Sequence, residues 1–215
     1  MKVIKIRIFR IDRILPMEIK NLYLRTKNLL IKPISEFDTI SVENQSIRQL
    51  NRKVVLPYAA LVGLCALLGS IFTHINSPLD SFIYVLLNAV IVFLIVLVQT
   101  YSAGQLVALL GKNINISNQK EAVYGLVVYA QIPFYLVLAF TEMFPSLIFL
   151  IFLAAYSAYL IYVGIDGLLK ISSVRKMQFL ILSLIIMVVL YILVDELLSL
   201  LYSEILDLFS TFAVL

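Results

Sequence analysis

The chain has 215 residues, of which 62% are hydrophobic and only 14% are charged, and its mean hydropathy is +1.01. Globular domains use roughly 45–50% apolar residues, so a soluble domain of this length could not bury so much apolar surface. With one cysteine and one histidine, the chain cannot form an intrachain disulfide or a Cys/His metal cluster. We therefore expect an integral membrane protein without a metal or another cofactor.

The first 53 residues form a basic region, predicted to be cytoplasmic. Twelve of the seventeen Lys and Arg residues precede residue 54, beside the first apolar run. Such a flank is typical of a topology signal and of a surface for anionic lipid headgroups, and this distribution argues against nucleic acid as a partner. Residues 1–16 fit poorly with the remainder of the chain, and we hypothesise that they are an upstream extension and that Met17 is the true start.

The rest of this region is predicted to form amphipathic helices. Apolar residues recur at helical spacing over 19–30 with lysines between them, which predicts a basic helix on the membrane surface. Pro33 should end that helix, and a capping-box pattern at Ser35 predicts the start of a second one. Ser46 is a candidate cap for a helix that continues into the first span, and Pro57 should either bend that span or interrupt its hydrogen bonding.

Five apolar runs are long enough to cross a bilayer core of about 30 Å, which takes roughly 20 helical residues. The sequence therefore predicts an all-α membrane domain over 54–194, a polytopic bundle of five transmembrane helices. The spans are predicted at 54–72, 81–110, 122–141, 143–165 and 177–194.

The charges between the spans predict the orientation. With the N-terminus inside, all seventeen basic residues fall on one side of the membrane. The positive-inside rule therefore predicts a cytoplasmic N-terminus and an external C-terminus. The acidic tail, 195–215, has a polar stripe at helical spacing, which fits either a continuation of the last helix or an amphipathic helix on the outer surface.

Uncharged polar and aromatic side chains within the spans have two interpretations. The usual one is hydrogen bonding between helices, bundle packing and interfacial anchoring. The other is a polar groove that passes a lipid or a small solute. The residues concerned are Asn88, Gln99, Gln131, Tyr156, Tyr159 and Tyr162.

Three residues resemble parts of intramembrane catalytic sites, but each lacks a partner. Ser70 and His74 are adjacent on one helix near its outer end, without a separate base or oxyanion cluster. Asp166 lies in a Gly-Ile-Asp-Gly sequence, but a second carboxylate at mid-membrane depth, needed to share a proton, is missing. We therefore expect no catalytic activity.

The order of several short motifs resembles the bacterial branch of the Yip family, relatives of the eukaryotic Ypt/Rab-interacting membrane proteins. The resemblance runs along nearly the whole chain from residue 28. The motifs are Asn28-Leu-Leu-Ile-Lys-Pro33, Phe37, Ile40, Glu43, Leu56-Pro57, Gly69, Leu109-Leu-Gly111, Glu121-Ala-Val-Tyr124, Tyr129-Ala-Gln-Ile-Pro133, Pro145 and Ala155-Tyr-Ser-Ala-Tyr-Leu-Ile-Tyr-Val-Gly164.

This resemblance implies a five-span bundle with a cytoplasmic N-terminus, and in eukaryotes it implies a link to Rab GTPases and vesicle traffic. The lack of Trp and the Ile/Lys/Asn-rich composition indicate a prokaryotic chain, so we expect the cytoplasmic membrane as its location and doubt a Rab partner.

The first functional hypothesis is a non-catalytic membrane organiser or adaptor that acts through its cytoplasmic face. Its partners would be membrane lipids, a membrane or cytosolic protein, or a second copy of the chain. The alternative is a permeation protein for lipids or small solutes. The residues predicted for the face of the organiser are Lys27, Lys32, Pro33, Phe37, Glu43, Arg48, Arg52 and Lys53.

Overall fold

The computed structural model describes residues 17–43, 45–73, 80–113, 119–169 and 171–213. Within these ranges the backbone is helical apart from short connections. Three predictions fall outside the described residues: those on the extension 1–16, on His74 and on the last two residues of the tail.

Five of the described helices are long and apolar enough to cross a membrane, which confirms the predicted all-α, five-span fold. Two shorter helices precede them, α1 (Met17–Ile31) and α2 (Pro33–Glu43). The long helices are α3 (Ile47–Thr73), α4 (Asp80–Asn113), α5 (Lys120–Met143), α6 (Pro145–Leu169) and α7 (Ser173–Ala213).

Because consecutive spans alternate in direction, the bundle has two distinct ends. One end, which we call the N-terminal face, is formed by α1 and α2 with the first turns of α3, α5 and α7 and the last turns of α4 and α6. The other end, the C-terminal face, is formed by the opposite ends of the same five long helices.

The first two helices meet at Pro33, which has no N–H and whose fixed φ suits the first turn of a helix. The Lys32 N–H bonds to the Asn28 carbonyl (2.6 Å), and the Glu36 N–H bonds to the Lys32 carbonyl (3.2 Å). The predicted helix start at Ser35 is wrong, since α2 begins at Pro33. Ser35 lies in the first turn, and its hydroxyl donates to the Lys32 carbonyl (3.1 Å).

The start of α3 and its packing against α4 follow from a cap and a small residue. The predicted cap at Ser46 is confirmed: its hydroxyl accepts from the Gln49 N–H (3.4 Å), and the Gln49 side chain accepts from the Ser46 N–H (3.2 Å).

Further along α3, a β-carbon added to Gly63 would lie 3.1 Å from Phe93 Cβ and 3.2 Å from the Ala89 carbonyl of α4. The two helices therefore approach closely at Gly63.

The central helix of the bundle is α5. In the most apolar segment of α5, 78% of the residues are buried, compared with 22% in the corresponding segment of α7. The α5 helix contacts α3, α4 and α6. The helix is interrupted at Gln131, because Pro133 cannot donate a hydrogen bond to the carbonyl four residues earlier. The Gln131 N–H still bonds to the Val127 carbonyl (3.1 Å), so α5 continues in the same direction.

The sixth helix changes form along its length and exposes its first half. Pro145–Ala155 is a 3-10 helix with no buried residue, Tyr156–Gly164 is α-helical, and Ile165–Leu169 is a π-helical turn. An exposed apolar surface of this kind suits contact with lipid. The second half packs against α2 and α5 at the N-terminal face.

The last helix is longer than a bilayer core is thick. Its 41 residues extend about 60 Å, roughly twice the hydrocarbon thickness. Of the two conformations considered for the tail, the structure shows the continuation of the last helix, as far as Ala213. It packs along α4, where Tyr84 and Tyr202 make an edge-to-face contact (5.5 Å between ring centroids).

Candidate functional site

An arginine of α1 joins three helices at the N-terminal face. Arg25 donates from Nη1 to Glu43 Oε2 (2.7 Å) and from Nη2 to Glu43 Oε1. Its Nε lies 3.4 Å from Glu36 Oε1, and Nη1 also donates to the Tyr129 hydroxyl of α5 (2.9 Å). A planar guanidinium is suited to such a two-point contact with a carboxylate. Arg25 therefore fixes α1 and α2 to each other and to the bundle.

These contacts shift the pKa of both ionic partners and favour their charged forms. The hydrogen bonds from Arg25 lower the pKa of the Glu43 carboxyl, while its partial burial acts in the opposite direction. Pairing with Glu43 likewise raises the pKa of Arg25. Both side chains are only partly exposed, 19% for Arg25 and 30% for Glu43, so water screens the pair less than it would on an open surface.

Amide side chains extend this polar cluster. Asn28 Nδ2 donates to Glu36 Oε2 (2.9 Å), and Gln45 Nε2 donates to Glu43 Oε2. The Tyr129 hydroxyl donates in turn to Gln45 Oε1 (3.2 Å). Each carboxylate therefore has an amide donor in addition to Arg25, as buried or half-buried charges require.

Beneath the polar cluster, an aromatic residue anchors α2 to α6. Phe37 is fully buried. Its ring lies against Gly164, where an added β-carbon would be 2.9 Å from Phe37 Cε1, and its Cβ lies against Gly167. The Tyr156 hydroxyl donates to the Leu30 carbonyl (3.1 Å), which ties the end of α1 to the same helix. The N-terminal helices are thus packed onto the bundle.

Two cations of α3 lie on a widened helical turn. Asn51–Val55 is π-helical, and the Leu56 N–H bonds to the Asn51 carbonyl, five residues back. Pro57 gives the physical reason, because it has no N–H to bond the carbonyl of Lys53. The exposed Arg52 and Lys53 therefore lie on a turn held outside regular α-helical geometry.

A cleft of about 740 Å³ opens between α1, α2, α3 and α5. Its wall is mainly polar on the side of the first two helices and includes the two cations of the π-helical turn. We call it the N-terminal cleft. It is lined by Asn21, Leu22, Leu24, Arg25, Asn28, Glu36, Thr39, Glu43, Gln45, Arg52, Lys53, Val54, Pro57 and Tyr129.

The residues predicted for the partner face divide into two groups. The cations Lys27, Lys32, Arg48, Arg52 and Lys53 are exposed, and Glu43 lies at the margin of the cleft. Pro33 and Phe37, in contrast, are buried: Pro33 opens α2, and Phe37 packs against α6. These two residues hold the face in place and are not presented on it.

The amides predicted for a polar groove are placed in two parts of the bundle. Asn88 donates to the Ser70 hydroxyl (3.0 Å), which joins α3 to α4 towards the C-terminal face. Gln99 and Gln131 are buried near mid-bundle, where Thr100 Oγ1 lies 3.1 Å from Gln131 Oε1 and 3.4 Å from Gln99 Oε1. The Tyr135 hydroxyl also donates to Gln131 Oε1. These contacts close a buried hydrogen-bonded cluster.

The three tyrosines of α6 are not part of that cluster. Tyr156 and Tyr159 make a tilted ring contact (5.3 Å between ring centroids), and Tyr159 and Tyr162 are 45% and 44% exposed. The ammonium group of Lys176 lies 3.5 Å from the centroid of the Tyr162 ring and is paired with Asp166. Tyr159 and Tyr162 therefore lie on the outer surface of α6, and the half-buried Tyr156 is bonded to α1 and not to the Gln131 cluster.

A family model of the Yip1 domain matches residues 27–194, which include the last five residues of α1, all of α2 to α6 and the first half of α7. The chain belongs to the Yip family. Neither curated proteins nor solved structures give a significant match.

The family match covers Glu36, Glu43 and Tyr129 but begins two residues after Arg25, which joins them. The sequence prediction included Glu43 but missed its partners. A signal was present: Asn21, Arg25 and Asn28 are spaced i, i+4 and i+7 along α1 and share one side of it. A second polar stripe at 36, 39 and 43 lies on α2 and faces the first across the cleft.

In the described part of the Yip chain, no group of three or more His, Cys, Asp or Glu side chains is arranged to hold a metal ion. The Asp166 carboxylate is paired with Lys176, and the Ser70 hydroxyl accepts a hydrogen bond from Asn88. Two of the three residues considered for catalysis, Ser70 and Asp166, therefore have ordinary structural partners.

Proposed function

We propose that this Yip-family protein is a non-catalytic membrane organiser or adaptor that acts through its N-terminal face. The positive-inside rule supports a cytoplasmic position for this face, because all seventeen basic residues fall within 1–53, 112–120 and 170–176, which the order of the five spans puts on one side of the membrane. The proposed location is the cytoplasmic membrane of a prokaryotic cell.

The observation that carries this proposal is the attachment of α1 and α2 to the bundle. Arg25 links both helices to Tyr129 of α5, and Phe37 is fully buried against α6. A surface held in one arrangement loses less conformational entropy on binding than a loosely attached segment. The exposed cations on this surface, Lys27, Lys32 and Arg48 among them, suit anionic lipid headgroups or an acidic protein partner.

The competing function is permeation of a lipid or a small solute between the helices. Such a path needs polar groups that reach lipid or water. Gln131 and Thr100 are fully buried, and two of the three tyrosines of α6, Tyr159 and Tyr162, lie on the outside. The arrangement of the described residues therefore supports the organiser over a permanently open groove.

The test uses a photo-crosslinking amino acid at single sites in the full-length protein, in native membranes. Positions Lys27, Lys32 and Arg48 sample the N-terminal face, and Phe152 samples the apolar surface of α6 as a matched exposed control, being itself 81% exposed. We expect a protein neighbour, including a second copy of the chain, to be captured from the face positions and not from Phe152.

A second measurement addresses lipid organisation and permeation in liposomes. The organiser changes the shape or size of liposomes without moving labelled lipids or solutes across them. Transport above the level of empty vesicles would favour the permeation function. No captured neighbour together with no effect on liposome shape would refute the organiser.

A further inference from the structure

The N-terminal cleft has an uneven distribution of charge. Arg25, Arg52 and Lys53 are its three cations, and Glu36 and Glu43 are its two carboxylates, which leaves one net positive charge. Arg25 contacts both carboxylates, so its charge is already balanced inside the cleft.

The two remaining cations belong to the π-helical turn of α3. Within the described part of the chain, neither Arg52 nor Lys53 has a carboxylate within ion-pair distance. The electrostatic effect of Lys53 does reach Glu43, whose pKa it helps to lower. Adjacent Arg and Lys side chains at the margin of a polar cleft form a donor set suited to a phosphate group.

The position of the cleft identifies the source of such a phosphate. Arg52 and Lys53 immediately precede the charge-free apolar stretch of α3, so they lie at the level of the lipid headgroups. Leu22, Val54 and Pro57 supply apolar wall beside them. A site with cations at headgroup level and apolar wall next to them matches an amphiphile, with its phosphate on the cations and its glycerol and acyl parts on the apolar wall.

We propose that the N-terminal cleft binds the phosphate headgroup of an anionic phospholipid, with Arg52 and Lys53 as the phosphate ligands. A singly charged phosphodiester complements the net positive charge of the lining, whereas a zwitterionic lipid does not. Asn21, Asn28 and Gln45 line the same cleft and offer amide groups to the hydroxyls of the headgroup. This inference rests on the proposed role of the N-terminal face and names a ligand for it.

The test is native mass spectrometry of the full-length protein purified in detergent and supplied with phosphatidylglycerol or phosphatidylcholine. The variant Arg52→Gln/Lys53→Gln removes both proposed ligands. The control Arg175→Gln/Lys120→Gln makes the same two chemical changes at exposed positions of the same face that do not line the cleft. Thermal unfolding checks that both variants are folded.

We expect the wild-type protein to retain phosphatidylglycerol in preference to phosphatidylcholine. The affinity for phosphatidylglycerol should fall at least about tenfold in the cleft variant, because two charge-assisted contacts are lost. In the control variant it should stay within about twofold of the wild-type affinity. Equal weakening in both variants would show diffuse surface attraction and overturn the proposal. Equal retention of the two lipids by the wild-type protein would also overturn it.

A phosphate group that is not part of a lipid could bind the same cations, so inorganic phosphate and glycerol 3-phosphate are tested separately. If they bind the same residues as tightly as phosphatidylglycerol does, the proposal that the ligand is a lipid is overturned. If the cleft variant does not fold, a photoactivatable phosphatidylglycerol on the wild-type protein decides: crosslinks to 21–28 or 52–57 support the site, and crosslinks elsewhere refute it. These readouts need no protein partner, so their failure is distinct from a failure to capture one in native membranes.

Discussion

Phe37 of α2 packs its ring against Gly164 of α6, and a β-carbon added to Gly164 would lie 2.9 Å from two ring atoms of Phe37. The contact joins residues 127 positions apart in the sequence and is fully buried on the Phe37 side. Because interiors are packed near crystal density, neither the ring nor the helix can move aside without loss of other contacts. This packing seats the N-terminal helices on the membrane bundle.

The variant Gly164→Ala should therefore loosen the N-terminal helices. Overpacking in a closely packed core costs about 1–3 kcal/mol, and here the added β-carbon would press on Phe37 of α2 and also on Leu126 Cδ1 of α5. We expect faster proteolysis of α1 and α2 and a lower unfolding temperature in detergent. The control is Gly125→Ala, where the added β-carbon would meet Leu50 Cδ1 at 3.5 Å, an ordinary contact. Equal effects of the two substitutions would contradict this account of the Phe37 contact.

The contact between Arg25 and Glu43 should show measurable energetic coupling. We expect a double-mutant cycle of Arg25→Gln and Glu43→Gln to give about 1–2 kcal/mol of coupling in the free energy of unfolding. This lies between the values for exposed ion pairs and for hydrogen bonds to charged groups, because both side chains are partly buried. A cycle of Lys27→Gln with Glu43→Gln serves as the control and should give less than about 0.5 kcal/mol. Coupling near zero for the first pair would rule out the ionic link.

The same pair predicts a dependence of stability on pH. The pKa of Glu43 is lowered in the folded protein, so its contribution is fully present above the ordinary carboxyl pKa of about 4.3. It is lost as the pH falls through the lowered folded value, while Arg25, whose pKa is raised, stays charged throughout. Protease resistance of α1 and α2 should therefore fall below about pH 4 in the wild-type protein.

The matched variant for this pH experiment is Glu43→Gln. It should start with lower protease resistance at neutral pH and change less on acidification, because the titrating carboxyl is gone. An identical acid transition in both proteins would show that another carboxyl is responsible.

The sequence predicted the five spans because apolar length is a local property of the chain. The cap at Ser46 was also predictable, since its donor and acceptor are three residues apart. The link from Arg25 to Tyr129 joins residues 104 positions apart, and no local pattern reports such a contact. The polar stripes on α1 and α2 indicated two faces, but which faces meet depends on how α2 packs against α6.

The row of tyrosines on α6 shows a second limit of prediction from the sequence. Three residues advance about 300° around a helix, so each step of three turns the row by about 60°. From Tyr156 to Tyr162 the row has turned by about 120°, and its later members reach the outer surface. A repeat of three is thus insufficient to place all three rings on one buried face.

The buried amide of Gln131 provides a test of whether the centre of the bundle is closed. Its Oε1 accepts hydrogen bonds from Thr100 and Tyr135, while its Nε2 has no partner within the described structure. Gln131→Leu removes both the paired acceptor and the unpaired donor. Since hydrogen bonds between membrane helices average about 0.6 kcal/mol, we expect the free energy of unfolding to change by less than about 1 kcal/mol.

Gln131→Glu is the matched polar substitution, because it keeps the shape of the side chain but introduces an ionisable group. A charge in this fully buried position should cost at least about 2.5 kcal/mol at neutral pH, measured by denaturant unfolding in detergent. If the Glu variant were as stable as the wild-type protein while the Leu variant unfolded, Gln131 would have access to water. A wet centre would shift the balance from the organiser towards the permeation function, because a polar path would then reach the middle of α5.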